Sequence, residues 1–127
     1  TKLNFSELMG SDSAHENEAL THLTQVITSN KLFLEPDFSL AKMQYHSNVS
    51  ADTIRNAIRE SHFDNFKAFL NHHRVVHAVA LIDGGYLAKH TINSLSVDSG
   101  FKSPVTFFRA FKDQKKQTPL AYSTQKV

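Results

Sequence analysis

Gly100-Phe101-Lys102-Ser103-Pro104-Val105-Thr106-Phe107-Phe108-Arg109-Ala110-Phe111-Lys112 carries a complete start signal for an α-helix. Ser103 is a good N-cap, because its side chain can accept from a free N–H of the first turn. Pro104 follows at the first helical position, where a missing N–H costs nothing. Phe107 and Phe111, one turn apart, give the helix an apolar inner edge. Upstream, Asp98-Ser99-Gly100 breaks an earlier helical pattern in which Thr91 caps Ile92 and Leu95. Downstream, Thr118-Pro119 repeats the cap-plus-proline signal ahead of Leu120 and Tyr122. Helix, tight turn, helix, and then one last short helix is the expected order.

The same frame occurs earlier in the chain. Leu40-x2-Met43-x5-Val49-x4-Ile54-x3-Ile58 matches Ile92-x2-Leu95-x5-Phe101-x5-Phe107-x3-Phe111, with one residue more between turn and final helix in the second copy. Each stripe alone would be ordinary core patterning, but their agreement points to two copies of one small helical unit. In the first copy Ser39 caps the opening helix, and His46-Ser47-Asn48 interrupts it, Asn48 being able to take a left-handed conformation. Ser50 then caps a second helix whose buried face is Ile54, Ala57 and Ile58.

Between the copies lies the longest helical pattern. It starts at Asp64 or Asn65, places Phe66, Phe69, Leu70, His73, His77, Ala78, Leu81 and Ile82 on apolar-leaning positions, and stops at Asp83-Gly84-Gly85. At 1.5 Å per residue it spans roughly 28 Å, long enough for a strut between two lobes. Ahead of the first copy, Ser13 and Glu16 fit a capping box and Leu20, Leu23 and Ile27 recur at helical spacing, which predicts a helix over about 14–29. Asn30 would end it, and Glu35-Pro36-Asp37 reads as a turn. Residues 1–12 show no sustained period and read as a linker or expression remnant. The expected architecture is all-α. Residues 13–127 form two helix-turn-helix lobes, homeodomain-like, joined by a long central helix: first unit about 39–60, linker helix about 64–83, second unit about 91–114.

With 127 residues, 14 Lys+Arg, 12 Asp+Glu, 8 His and no Cys, the chain suits one compact domain or two small lobes sharing a rigid element. The lack of Cys excludes disulfides, thiolate zinc sites and Cys nucleophiles. No apolar run approaches the ~20 residues needed to cross a bilayer. The expectation is a cytoplasmic segment without membrane contact, and the missing initiator Met suggests a piece of something longer. Charge is uneven: residues 1–50 hold three basic side chains against six acidic, whereas residues 51–127 hold 11 against 6. A basic second half points to an anionic partner, of which nucleic acid is the commonest.

A helix-turn-helix suits duplex DNA because its second helix fits the major groove while the first crosses behind it at the backbone. The polar faces fit that role. The first copy offers Asp52, Thr53, Arg55, Asn56 and Arg59, and the second offers Lys102, Ser103, Thr106, Arg109 and Lys112. Arg can bond a guanine edge in bidentate fashion and Asn an adenine edge, while Lys and capped helix N-termini suit phosphates. Two such heads on a strut can reach successive major-groove segments about 34 Å apart if the domain tilts or the DNA bends.

The chain resembles the C-terminal DNA-binding domain of AraC-type (AraC/XylS) transcriptional regulators over roughly residues 16–123. The anchors are Ser39-Leu40, Val49-Ser50 and Ile54, then Phe69-Leu70-x3-Arg74-x3-Ala78. The most specific block is Gly100-Phe101-x5-Phe107-x-Arg109-x-Phe111-Lys112 followed by Thr118-Pro119-x2-Tyr122. The resemblance implies that the helices starting at Ser50 and Ser103 enter the major groove. Asp52, Arg55 and Asn56 would face bases from the first, and Val105, Phe108 and Arg109 from the second. It also implies double-stranded DNA as partner, RNA polymerase as a further one, and an upstream sensing or dimerising domain absent from this chain. Departures from the family pattern include Asn48 and Phe63 where Gly is frequent, Met43-Gln44 for Leu-Ala, and Leu95-Ser96 for Ile-Ala. Val105 stands at a usually polar position, and Lys116 where Gly is common.

Other readings compete residue by residue. Arg109 can pair with Asp113 one turn on. Arg74, in the middle of the strut, is expected to tie the lobes together rather than touch DNA. Asp52 in a first helical turn is favoured by the helix dipole alone. His73 and His77 share a helix face next to His72, yet no Glu follows His73 in the metalloprotease pattern and no Cys can complete a tetrahedral site, so no metal is expected. Phe107 and Phe108 lack the neighbouring platforms of a single-strand binder. Without a nucleophile elbow or phosphate loop, no enzyme and no cofactor is expected. The alternative from another class is a helical protein-interaction module whose repeat serves packing only.

Overall fold

The computed structural model describes residues 11–125, and side chains within 18–125. Among the described residues there are seven α-helices and no strand: α1 (Ser11–Ser29), α2 (Leu40–Ser47), α3 (Ala51–Glu60), α4 (Phe66–Asp83), α5 (Ile92–Asp98), α6 (Pro104–Lys115) and α7 (Pro119–Gln125). Short 3-10 turns occur at Leu32–Leu34 and Tyr86–Ala88. The all-α expectation and the repeated helix pairs, α2–α3 and α5–α6, are present. α1 begins at Ser11, ahead of the expected start, so Ser11 and Asp12 are helical rather than linker. The remainder of the linker reading, residues 1–10, and the capping-box side chains of Ser13 and Glu16 lie outside the described residues.

The chain folds as two compact units. Among the described residues the first comprises 11–32 together with Ser39–Phe69, and the second comprises Phe33–Phe38 together with 70–125. The first turn of α4 thus belongs to the first unit and its remainder to the second.

In the first unit α1 packs on α2 and α3. Leu23, Ile27, Met43, Ile54, Ala57 and Ile58 are buried, each larger side chain contributing on the order of 1.5–3 kcal/mol relative to exposure. The local signals behave as their chemistry demands. Ser39 accepts from the Lys42 N–H and Ser50 from the Thr53 N–H, each at 3.2 Å, fixing the starts of α2 and α3. Asn48 ends α2 in the left-handed region at φ 59°, its N–H returning to the Gln44 carbonyl. His22 donates from Nε2 to the Ser47 carbonyl at 3.0 Å, which fastens the end of α2 to α1. Asn65 caps α4, its Oδ1 accepting from the Ala68 N–H at 2.8 Å.

The second unit is built around Val75, Ala78 and Ile82 of α4, Leu95 of α5, Phe101 of the turn, and Phe107, Ala110 and Phe111 of α6. Phe101, Phe107 and Phe111 pack in sequence, tilted and then edge-to-face, with centroids 5.3 and 5.8 Å apart, and Tyr122 of α7 meets Phe111 edge-on at 5.8 Å. Thr91 and Ser103 repeat the caps of the first unit, accepting from Ser94 and Thr106. Ser96, standing where Ala is usual, is fully buried but donates its hydroxyl to the Asn93 carbonyl at 2.8 Å, which explains why a polar residue is tolerated.

Arg74 is buried, 2% exposed. Its Nε donates to the Phe33 carbonyl at 2.7 Å and its Nη2 to the Glu35 carbonyl at 2.8 Å, while the guanidinium carbon lies 5.6 Å from the centre of the Phe101 ring. Burial pushes its pKa down to about 10, so the group stays charged at neutral pH. Its role is structural, and what it ties down is the segment Phe33–Phe38 within the second unit. Gly100 takes φ 92°, and a Cβ there would stand 2.7 Å from the Phe33 carbonyl oxygen and 2.9 Å from the Leu34 Cα. The two turns therefore share a left-handed residue but differ in kind. Asn48 faces solvent and can carry a side chain, whereas Gly100 is pressed against backbone.

Candidate nucleic-acid interface

α3 and α6 are the second helices of their pairs, and their starts are built alike. Ser50 and Ser103 are N-caps in extended backbone, and each serine hydroxyl also lies 3.0 Å from the hydroxyl of the threonine three residues on, Thr53 or Thr106. Each cap thus satisfies an orphan N–H while holding the threonine side chain in place. Thr53 and Thr106, expected on the binding face, have this second duty, and Ser103 and Thr106 are only partly exposed.

From these caps the outer faces run at i, i+3, i+4 and i+7, positions that lie on one side of a helix. On α3 they are Asp52, Arg55, Asn56 and Arg59, all exposed. On α6 the same frame holds Val105, Phe108, Arg109 and Lys112, also exposed. Lys102 is exposed just ahead of the α6 cap. The structure thus assembles the expected residues into two separate outward ladders, one in each unit.

The ladders differ electrostatically. On α3 the side chains pair with each other: Arg55 Nη1 lies 3.4 Å from Asp52 Oδ1, and Arg59 Nη1 donates to Asn56 Oδ1 at 2.9 Å. Such exposed i, i+3 contacts contribute only about 0.2–0.5 kcal/mol and are easily exchanged for others. On α6 the competing reading, an Arg109–Asp113 ion pair, is not met; among the described residues the ion pair on the two ladders is Asp52–Arg55. Arg109 therefore offers its guanidinium outward beside two apolar side chains. Lys112 and Lys115 add positive charge in the last turn of α6, and Lys116 follows it in a left-handed C-cap at φ 60°.

Tyr45 on α2 is 81% exposed next to the first turn and is absent from the sequence-based set of contacts. The repeat frame pairs it with Val97 on α5, which is 65% exposed, and that correspondence is the signal that marks the position. Of the histidines raised for metal binding, half-buried His73 has its pKa pushed down to about 4, first by burial and then by the neighbouring His72. Among the described residues no helix is long and apolar enough to cross a membrane.

The helix-turn-helix domain family matches residues 45–125. An uncharacterized HTH-type transcriptional regulator of Staphylococcus aureus (strain MSSA476) is 30% identical over 111 residues, taking in 85% of this chain and 14% of that protein. Its counterpart in strain MRSA252 gives the same values: 30% over 111 residues, 85% and 14%. The chain thus spans 14% of the length of the curated relatives it matches. Among solved structures, a DNA-binding transcriptional dual regulator from Escherichia coli K-12 shares the fold with a TM-score of 0.66 at 21% identity, covering 82% of this chain and 96% of that one. The DNA-binding domain of AdpA, a global transcriptional factor solved in complex with a target DNA, also gives 0.66 at 21%, covering 81% and 90%.

Proposed function

The chain belongs to the AraC-type helix-turn-helix family, and from that premise we propose that it binds double-stranded DNA sequence-specifically in transcription regulation, with α3 and α6 each entering a major-groove segment. The observation that carries this reading is the duplicated serine-capped helix with an exposed i, i+3, i+4, i+7 ladder, on a chain whose second half is basic. Packing alone requires no outward ladder of Arg, Asn and Lys, whereas groove reading requires one. Base contacts are assigned to Asp52, Arg55 and Asn56 on α3 and to Val105, Phe108 and Arg109 on α6. Lys102, Arg59 and Lys112, with the helix starts at Thr53, Ser103 and Thr106, are assigned to phosphates.

The relatives are several times longer than this chain, which supports a further domain, sensing or dimerising, in the parent protein. Its action at a promoter would be exerted on RNA polymerase, and a DNA-bound regulator of this kind works in the cytoplasm. The deciding experiment is selection from a pool of random duplexes followed by binding at rising salt. A recovered motif, with affinity falling steeply as salt displaces Lys and Arg from phosphates, is the expected result. Recovery of no motif together with salt-insensitive behaviour would leave the protein-interaction module instead.

A further inference from the structure

Six large apolar side chains are exposed among the described residues, and Val105 and Phe108 are the two that share a helix. Singly exposed apolar residues are ordinary, but a pair at i, i+3 on a solvent-facing ladder is a small apolar surface of its own. Val105 is 64% exposed and Phe108 38%. Phe108 is thus about three-fifths covered in place and keeps the remainder of its ring on the outer face, next to Val105 one turn back. The matching positions of α3 hold Asp52 and Arg55, so this surface is not imposed by the repeat.

The occupant is indicated by what surrounds the pair. Arg109 and Lys112 continue the same face one and two turns on, so the apolar patch is bordered by cations and suits a polyanion that itself displays apolar groups. The major groove displays one such group, the C5-methyl of thymine, and Arg beside it suits the O6 and N7 of guanine. We infer that α6 is a thymine reader: Val105 and Phe108 pack on thymine C5-methyls next to a guanine held by Arg109, while α3 reads its segment by hydrogen bonds. This inference rests on the DNA-binding reading above.

The test removes the methyl groups and leaves the protein untouched. In a duplex carrying the selected motif, each thymine of one half-site, then of the other, is replaced by deoxyuridine, and affinity is measured by fluorescence anisotropy. Each contacted methyl should be worth about fourfold, the factor equivalent to ~0.8 kcal/mol for a buried methyl-sized group. The loss should be confined to one half-site. It should vanish for the exposed-site variants Val105→Ser and Phe108→Ser, which are already weakened on thymine DNA, and persist in Asp52→Ala. Unchanged affinity on uridine DNA, with binding still motif-dependent and salt-sensitive, would overturn the thymine assignment and leave the DNA-binding reading standing. A motif with no fixed thymine would do the same. Absence of any duplex binding would overturn both.

Discussion

Arg74 on α4 donates from Nε to the Phe33 carbonyl at 2.7 Å, joining residues 41 apart in sequence. A second donation to Glu35 and the Phe101 ring beneath the guanidinium complete its surroundings. Removing this buried cation leaves the buried Phe33 carbonyl without its donor and opens a space beside Phe101. Arg74→Ala should therefore cost about 3–5 kcal/mol in urea unfolding. Arg74→Lys should recover part of that, because an ammonium lacks the planar fork that reaches two carbonyls at once. A loss below 1 kcal/mol for the alanine variant, measured in about the same urea range, would mean the tie is dispensable.

The two turns should differ in how strictly they specify their left-handed residue. Gly100→Ala places a Cβ against the backbone of Phe33 and Leu34 at a positive φ, for an expected cost of about 2–5 kcal/mol. Asn48→Gly, at a solvent-facing left-handed position, should change stability by less than about 1 kcal/mol. Thermal and urea unfolding of both variants checks the contrast.

Lys116 sits at φ 60° as the C-cap of α6, its N–H bonded to the Lys112 carbonyl. A side chain in the left-handed region is strained, whereas Gly adopts it freely. Lys116→Gly should stabilise the fold by about 0.5–1 kcal/mol despite the extra freedom of glycine in the unfolded chain. The same substitution should slightly weaken DNA binding by removing a positive charge, so stability and affinity are expected to move in opposite directions.

Acid sensitivity should involve His73. Its folded pKa is depressed from 6.5 to about 4, so between those values the unfolded chain binds the extra proton and the folded chain does not. The stability linked to neutral His73 is present above pH 6.5 and is lost as pH falls towards 4. Allowing for solvent screening of a half-buried group, the loss should be about 1–2 kcal/mol. Urea unfolding as a function of pH should show a shallower fall for His73→Gln than for the parent. Parallel curves would assign the acid lability elsewhere.

On DNA, Arg109→Ala should cost about 1–3 kcal/mol and relax the preference at one position of the selected motif. Lys112→Ala should weaken binding evenly across sequences and reduce the slope of log affinity against log salt by about 1. Competition titrations against single-base variants of the motif separate the two behaviours.

The helix starts and stops were legible in the chain because each is a local event. Ser39, Ser50, Thr91 and Ser103 cap the N–H three residues on, and Asn48 takes the left-handed turn its side chain tolerates. The repeated apolar frame was legible for the same reason, since helical period converts spacing directly into a buried face. The outward ladders follow from that frame, so their composition could be read as well. Long-range packing was not encoded in any window. Arg74 finds its carbonyls in Phe33–Phe38, a segment that precedes the first helix pair in sequence yet belongs to the second unit. Gly100 owes its lack of a side chain to that same segment as much as to its φ. The self-pairing of Asp52 with Arg55, against the outward-facing Arg109, was also beyond spacing rules, because i, i+3 and i, i+4 partners stood available on both helices and only the folded geometry selects between them.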